Sequence, residues 1–329
     1  MTAIFVTSLT EGGGKTSICA GLAQHMVGEG KKVGFMKPVT MEGVDSDALL
    51  MKNVLSLAES PEDISPFIGD SRKISGIVKQ TYDRISKDKD IVIIEGPGSA
   101  GEAAQKMAAA VNAKVIIVGG PEESPGAKMI VAQKLFGKNL LGVILNKVPV
   151  SFVEGLRDKA TAAFKEAGIK VLGLLPEDRA LFTLTVSELA DGINGEILNS
   201  AEKSGELAEN IMLGAMTVDT GPLYFGRKEN KVAVLRSERS DMQLAALQTS
   251  TRGLVISGEQ KPLPQVMGEA VKKDVPIIMA GDDVTTIVSN IEDTMARTRF
   301  SVEKLPRIST IITEYLDLPA LGKALGIKA

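Results

Sequence analysis

Six short apolar runs rich in β-branched residues punctuate the first half of this 329-residue chain, at 4–7, 33–36, 91–94, 115–118, 141–145 and 171–175. Amphipathic segments of helix length separate them, among them 17–27, 103–111, 128–136 and 152–166. Strands that are apolar throughout, rather than alternating, are buried on both faces. Strands joined by helices run parallel. The pattern therefore predicts an α/β, doubly wound parallel sheet with helices on both faces. After Leu175 the rhythm breaks, and 176–210 reads as mixed helix and turn with a polar stretch at 199–206. It resumes on a smaller scale, with strands at 232–235, 254–256 and 275–279 and helices at 241–248, 264–273 and 285–295. The expected organisation is a first domain over 1–200, a smaller α/β domain over 206–306 and a tail over 307–329. The tail carries a strand or helix at 308–316 and a short Ala/Leu/Lys helix.

The first apolar run leads into Ser8-Leu9-Thr10-Glu11-Gly12-Gly13-Gly14-Lys15-Thr16-Ser17, after which a helix begins. Successive glycines let backbone N–H groups turn inward around phosphate oxygens, and the helix N-terminus adds its positive dipole end. Lys15 supplies a point charge for the outer phosphates, and the Thr16 hydroxyl suits Mg²⁺. Gly12, Gly13, Gly14, Lys15, Thr16 and Ser17 thus form a P-loop of the NTPase type. It is a variant, because Leu9 stands where the usual spacing has its first glycine. Three further elements fit the same site. The run at 91–94 ends in Glu95, as a Mg²⁺ partner of Walker B type would. Asp45-Ser46-Asp47 offers a second carboxylate, and Lys37 places a cation at the carboxyl edge of the sheet. Asn146, after the fifth run, has Pro149 where a guanine-specific site would want Asp. Its amide suits adenine, so the nucleotide expected is ATP.

Composition closes off several alternatives. One cysteine and one histidine exclude an intramolecular disulfide and a Cys- or His-rich metal centre. A net charge of −3 argues against broad nucleic-acid binding. With 4% aromatic residues and no tryptophan, ligands are not expected to be held by stacking. No stretch is long enough for a membrane span, and 1–9 lacks a basic leader and cleavage site, so the expected compartment is the cytoplasm.

The loop ending Gly14-Lys15-Thr16, the segment Gly34-Phe35-Met36-Lys37-Pro38-Val39, Asp45-Ser46-Asp47-Ala48-Leu49, Glu95-Gly96 and Asn146 resemble the dethiobiotin synthetases and the amino-terminal part of cobyrinic acid a,c-diamide synthases. That resemblance implies Mg²⁺ held by Thr16, Asp47 and Glu95, with Lys37 bridging phosphate and a substrate carboxylate. It also implies a homodimer. Farther along, 175–179, 185–189, 212–216 and 239–247 resemble the amino-terminal region of long phosphotransacetylases, in which a dethiobiotin-synthetase-like domain precedes a DRTGG domain. Glu238 stands where those domains have Asp before the Arg, and the Asp-Arg-Thr-Gly-Gly string itself is absent. The transferase half is also missing from this sequence.

Two functions follow as expectations. In the first, the chain is a Mg·ATP-binding regulatory module whose DRTGG-like domain senses a small molecule or mediates association. In the second, it is an ATP-dependent ligase-like enzyme that phosphorylates a carboxylate or carbamate, with Lys15 and Lys37 stabilising the transferring phosphoryl group. Against the second, 39–43 departs from the small-residue sequence that follows Lys-Pro-Val in true synthetases. Cys19 and His25 lie on the helix after the loop at a spacing that puts them on different faces, and both read as structural. Ser240 and Gln243 have the spacing of a capping box, with Arg239 and that helix start as an alternative anion site. Asp282-Asp283 reads as a helix cap rather than a metal pair.

Overall fold

The computed structural model describes residues 2–38, 45–122, 124–214 and 221–326. In chain order the first elements are β1 (Thr2–Ser8), α1 (Lys15–Gly28), β2 (Val33–Met36), α2 (Ser46–Leu55), α3 (Pro61–Ile64), α4 (Ile74–Ile85), β3 (Ile91–Glu95), α5 (Glu102–Ala110), β4 (Lys114–Gly119), α6 (Ala127–Phe136), β5 (Leu140–Val148), α7 (Val153–Glu166) and β6 (Val171–Pro176). Then follow β7 (Leu184–Thr185), α8 (Val186–Gly192), β8 (Glu196–Ile197), β9 (Leu207–Ala208), β10 (Asn210–Leu213), α9 (Gly221–Phe225), β11 (Lys231–Arg236), α10 (Ser240–Leu247), β12 (Thr251–Ser257), α11 (Pro264–Lys272), β13 (Ile277–Ala280), α12 (Val284–Arg297), α13 (Leu305–Tyr315) and α14 (Leu318–Leu325).

The chain divides into two compact units, one of Met1–Asp178 with Lys304–Ala329 and the other of Arg179–Glu303. In the first, six parallel strands run in the order β2-β3-β1-β4-β5-β6. The apolar runs become fully buried strands, as burial on both faces requires. One face packs Phe5, Ile94, Ile117 and Leu145 against Met107, Met129 and Phe164 of the covering helices. Because β1 lies between β3 and β4, the ends of β1 and β3 share the carboxyl edge, and the register sets Val6 opposite Glu95.

Residues 304–326 differ from the expected tail. They return to the first unit, where α13 packs on α1 and β6. Gly21 lets the two helices approach closely, since a Cβ there would lie 2.7 Å from Ile312 Cγ1. Leu316 bridges to Gly173, the Asp317 amide donates to Leu172 O at 2.8 Å, and Thr2 Oγ1 donates to Leu325 O at 3.2 Å. Arg307 Nε donates to Asp178 at 2.7 Å. The first division therefore falls after Asp178 rather than near 200, and the first unit is discontinuous in sequence.

The second unit is a smaller α/β fold. Its sheet runs β10-β11-β12-β13-β8, with β8 antiparallel, beside the short antiparallel pair β7–β9. Phe225, Met242, Ala246, Val266 and Ala270 from α9, α10 and α11 bury one set of strand residues, among them Leu235, Ile256 and Ile277. Leu189, Ile287 and Ile291 from α8 and α12 bury the alternate set, Val234, Val255 and Ile278. Asp283 caps α12 by accepting from the Thr286 amide at 2.9 Å, as its sequence suggests. The expected capping box at Ser240 is not formed: Arg239 occupies the cap position without a side-chain cap, and Gln243 turns to the preceding loop instead. The reciprocal box is at Thr185 and Glu188, at the start of α8.

The α1–α13 contact yields a test. Gly21→Val is expected to destabilise the first unit by about 1–3 kcal/mol through overpacking. Gly28→Ala, where nothing lies within 4 Å of the added carbon, is expected to be neutral or to stabilise by up to about 1 kcal/mol. Urea unfolding of the two variants distinguishes these outcomes.

Candidate functional site

The site is built where β1 gives way to α1. The strand buries its apolar residues and ends in Thr7 and Ser8, whose hydroxyls donate to Pro97 O at 2.9 Å and Thr10 O at 2.6 Å. The loop turns back through Gly14, which has φ of +86° and would drive a Cβ into the Asn146 amide. Glycine at 14 is therefore required by conformation, and a Cβ there would also displace the Asn146 amide. As the cap residue of α1, Gly14 offers no side-chain oxygen, which leaves the first turn's N–H groups for an anion. Ser17 does not point at that space, because its hydroxyl donates to Gly14 O at 2.9 Å. Lys15 Nζ donates to Ser8 Oγ at 3.3 Å, so its ammonium folds back over the loop.

Asn146 and Lys147, at the end of β5, hold the outside of the loop. Asn146 Nδ2 donates to Gly13 O and Lys147 Nζ to Gly12 O, both at 2.9 Å. With their carbonyls drawn toward β5, these peptides are anchored from outside the loop. Asn146, expected as a base reader, thus has a structural hold on the loop as well. Lys147 was not singled out from sequence; the signal was its place directly after Asn146, at a strand end facing the glycines.

Thr16 and Glu95 meet beneath the loop. Thr16 Oγ1 donates to Glu95 Oε1 at 3.0 Å, and Glu95 Oε2 is buried with no hydrogen-bond partner among the described residues. Burial pushes the Glu95 carboxyl up to about 7; Asp47 adds to the rise, whereas Lys37, Lys15 and the Thr16 hydroxyl oppose it. Lys37, just beyond β2, donates to Asp45 at 3.1 Å and to Asp47. Asp45 also accepts the amides of Asp47 and Ala48 at 2.9 and 3.0 Å, capping α2. Burial pulls the Lys37 ammonium down, but Glu95, Asp47 and Asp45 more than offset this, so its pKa is raised. The structure brings Lys15, Thr16, Lys37, Asp45, Asp47 and Glu95 to one carboxyl-edge cluster.

The donor set has the chemistry of a Mg²⁺ site, with hydroxyl and carboxylate oxygens and an orphaned buried oxygen on Glu95. No group of three His, Cys, Asp or Glu side chains converges among the described residues, and Asp47 is held by Lys37. Cys19 is fully buried on α1 and burial pushes its thiol well up, which makes it packing rather than nucleophile. His25 lies at the other end of α1, where it lines a cavity of about 250 Å³ with residues of α14. Segment 39–43 lies outside the described residues, as do 215 and 216.

In the second unit, Arg239 does not present a free guanidinium to an anion. It forks onto Asp241, with Nε and Nη2 donating at 3.0 and 2.9 Å. Gln243 is fully buried and donates to Arg236 O at 2.9 Å and Ser237 O at 3.2 Å.

The AAA domain family AAA_26 matches residues 2–183 and the DRTGG domain family matches 188–294. The chain belongs to the AAA_26 family. This AAA domain with a following DRTGG domain is 25% identical over 299 residues to the phosphate acetyltransferase of Haemophilus influenzae, covering 78% of this chain and 42% of that protein. The first part is 29% identical over 114 residues to the ATP-dependent dethiobiotin synthetase of Brachyspira hyodysenteriae, covering 29% and 51% respectively. The MinD cell division protein of Aquifex aeolicus superposes with a TM-score of 0.40 at 20% identity, covering 55% of this chain and 84% of that one. The chain spans less than half the length of the Haemophilus relative. Among the described residues, no helix is long and apolar enough to cross a membrane.

The Glu95 environment predicts a pH signature in the metal-free protein. The folded carboxyl titrates near 7 against an ordinary value of 4.5. Between these values the folded state holds a proton that the unfolded state has lost, so stability falls as pH rises through this window. Glu95→Gln is expected to lack that loss and to be more stable than wild type above pH 7, by about 3 kcal/mol at most. Denaturant titrations in chelator from pH 4.5 to 8 check this; parallel wild-type and variant curves would refute it.

Proposed function

We propose that the first unit binds Mg·ATP and that the chain is a nucleotide-binding regulatory module whose DRTGG unit senses a small molecule. The observation that carries the nucleotide reading is the paired construction under the loop: Thr16 donates to a buried Glu95 whose second oxygen has no partner among the described residues. Burying a carboxyl oxygen without a partner is costly unless a cation or donor completes it. Thr16, Asp47 and Glu95 would hold Mg²⁺, which would supply positive charge to offset that of the phosphates. The N–H groups of Gly12 to Thr16 and the Lys15 ammonium would hold the phosphates. Asn146 retains a carbonyl acceptor and a second N–H for an adenine edge.

The regulatory part rests on the order of the two domains, which parallels the stretch matched in phosphate acetyltransferases. A second reading, an ATP-dependent ligase, is favoured by the likeness to dethiobiotin synthetase and by two lysines at one sheet edge. A homodimer belongs to either reading and is checked by light scattering.

Calorimetry with Mg·ATP is expected to show binding by wild type, and Lys15→Ala is expected to weaken it at least tenfold, in line with losing a charge-assisted phosphate contact. Absence of wild-type binding at millimolar ATP would overturn the nucleotide reading. Phosphate release with and without amines and short carboxylic acids separates the two functions. Negligible turnover accords with the regulatory module; release stimulated by one of those compounds accords with the ligase.

A further inference from the structure

Lys37 sits on the carboxylate that a metal would need. Its ammonium lies 3.0 Å from Asp45 and is paired with Asp47, while Glu95 exerts the largest charge effect on it. Asp45 is fixed independently, because it caps α2 through two backbone amides. Among the described residues Asp47 has no such backbone anchor, and Lys37 is the cation paired with it. In this cluster Asp45, Asp47 and Glu95 face Lys15 and Lys37, so the charge is nearly balanced without any metal.

A divalent ion on Thr16, Asp47 and Glu95 and an ammonium on Asp47 Oδ2 would share one carboxylate and repel each other. We propose that Lys37 is an internal counter-cation: it occupies Asp47 in the metal-free protein and gives it up when a divalent ion enters. This rests on reading the cluster as a metal–nucleotide site, and it deepens that reading. Metal entry turns a neutralised lysine into an available cation at the carboxyl edge of the sheet.

The probe is Mn²⁺ alone, with free ion measured by electron paramagnetic resonance. Lys37→Met and Lys37→Gln are expected to bind Mn²⁺ about tenfold or more tightly than wild type, since each removes a competing positive charge. Thermal melts establish that each variant is folded. A second measurement needs no variant: acetylation of Lys37 in the wild-type chain, followed by mass spectrometry, is expected to accelerate severalfold with millimolar Mn²⁺. Unchanged or weaker Mn²⁺ binding by the folded variants overturns the proposal, as does a labelling rate indifferent to Mn²⁺. Where neither variant folds, the labelling rate decides. Failure of the underlying reading looks different: wild type would then show no Mg·ATP binding by calorimetry. Binding of Mg·ATP with no gain in Mn²⁺ affinity on losing Lys37 removes only the counter-cation.

Discussion

A carboxyl group buried at the end of a central strand is the constraint on which this site depends. Glu95 closes β3 beside β1, and its neighbour Thr16 opens the helix that follows the glycine loop. The contact joins positions 79 residues apart and fixes where the loop sits relative to the sheet. Such burial is destabilising for the charged form, which is why the carboxyl is held near 7 and why the surrounding lysines matter. Lys15 and Lys37 favour ionisation, whereas Asp47 opposes it. The cluster is poised between a protonated, lysine-balanced state and an ionised state that a cation would complete.

Around that constraint, the loop is anchored from two sides. Glu95 holds it from below through Thr16, and Asn146 with Lys147 hold the carbonyls of Gly13 and Gly12 from β5. A glycine loop is costly to order because its unfolded chain has so much freedom. Three side-chain contacts from two strands offset that cost before any ligand arrives, leaving a site largely pre-formed rather than assembled on binding.

The strands, the loop and Glu95 were legible because each has a strong local signature: continuous apolar runs, clustered glycines, and an acid ending a buried strand. Lys37, Asp45 and Asp47 were legible as charges at the right edge, but their mutual pairing was not, since no spacing rule states which carboxylate an ammonium will choose. The helices α2 and α4 went unrecognised, although the buried residues of α4 at 74, 78, 81, 82 and 85 follow a helical period present in the sequence. Gln243 shows the opposite error. Its spacing from Ser240 fits a cap, yet the side chain is buried under two loop carbonyls, a tertiary demand that overrides the local pattern. The tail looked peripheral because α13 and α14 are short and apolar on one face; the partner of α13 is α1, where it packs at Gly21, far earlier in the chain.

That return has a mechanical consequence. The chain leaves the first unit after Asp178 and re-enters it at Lys304, so the DRTGG unit is attached through two covalent connections rather than one. Both connections end on elements that touch each other: Asp178 follows β6, α13 follows Lys304, and the Asp178–Arg307 ion pair ties departure to return. Helix α13 in turn packs on β6 and on α1, the helix that presents Lys15 and Thr16. At Gly21 that packing leaves no room for even one added carbon. Close-packed interiors transmit displacement instead of absorbing it. A displacement of α13 is therefore passed to α1, the helix whose first turn carries Lys15 and Thr16.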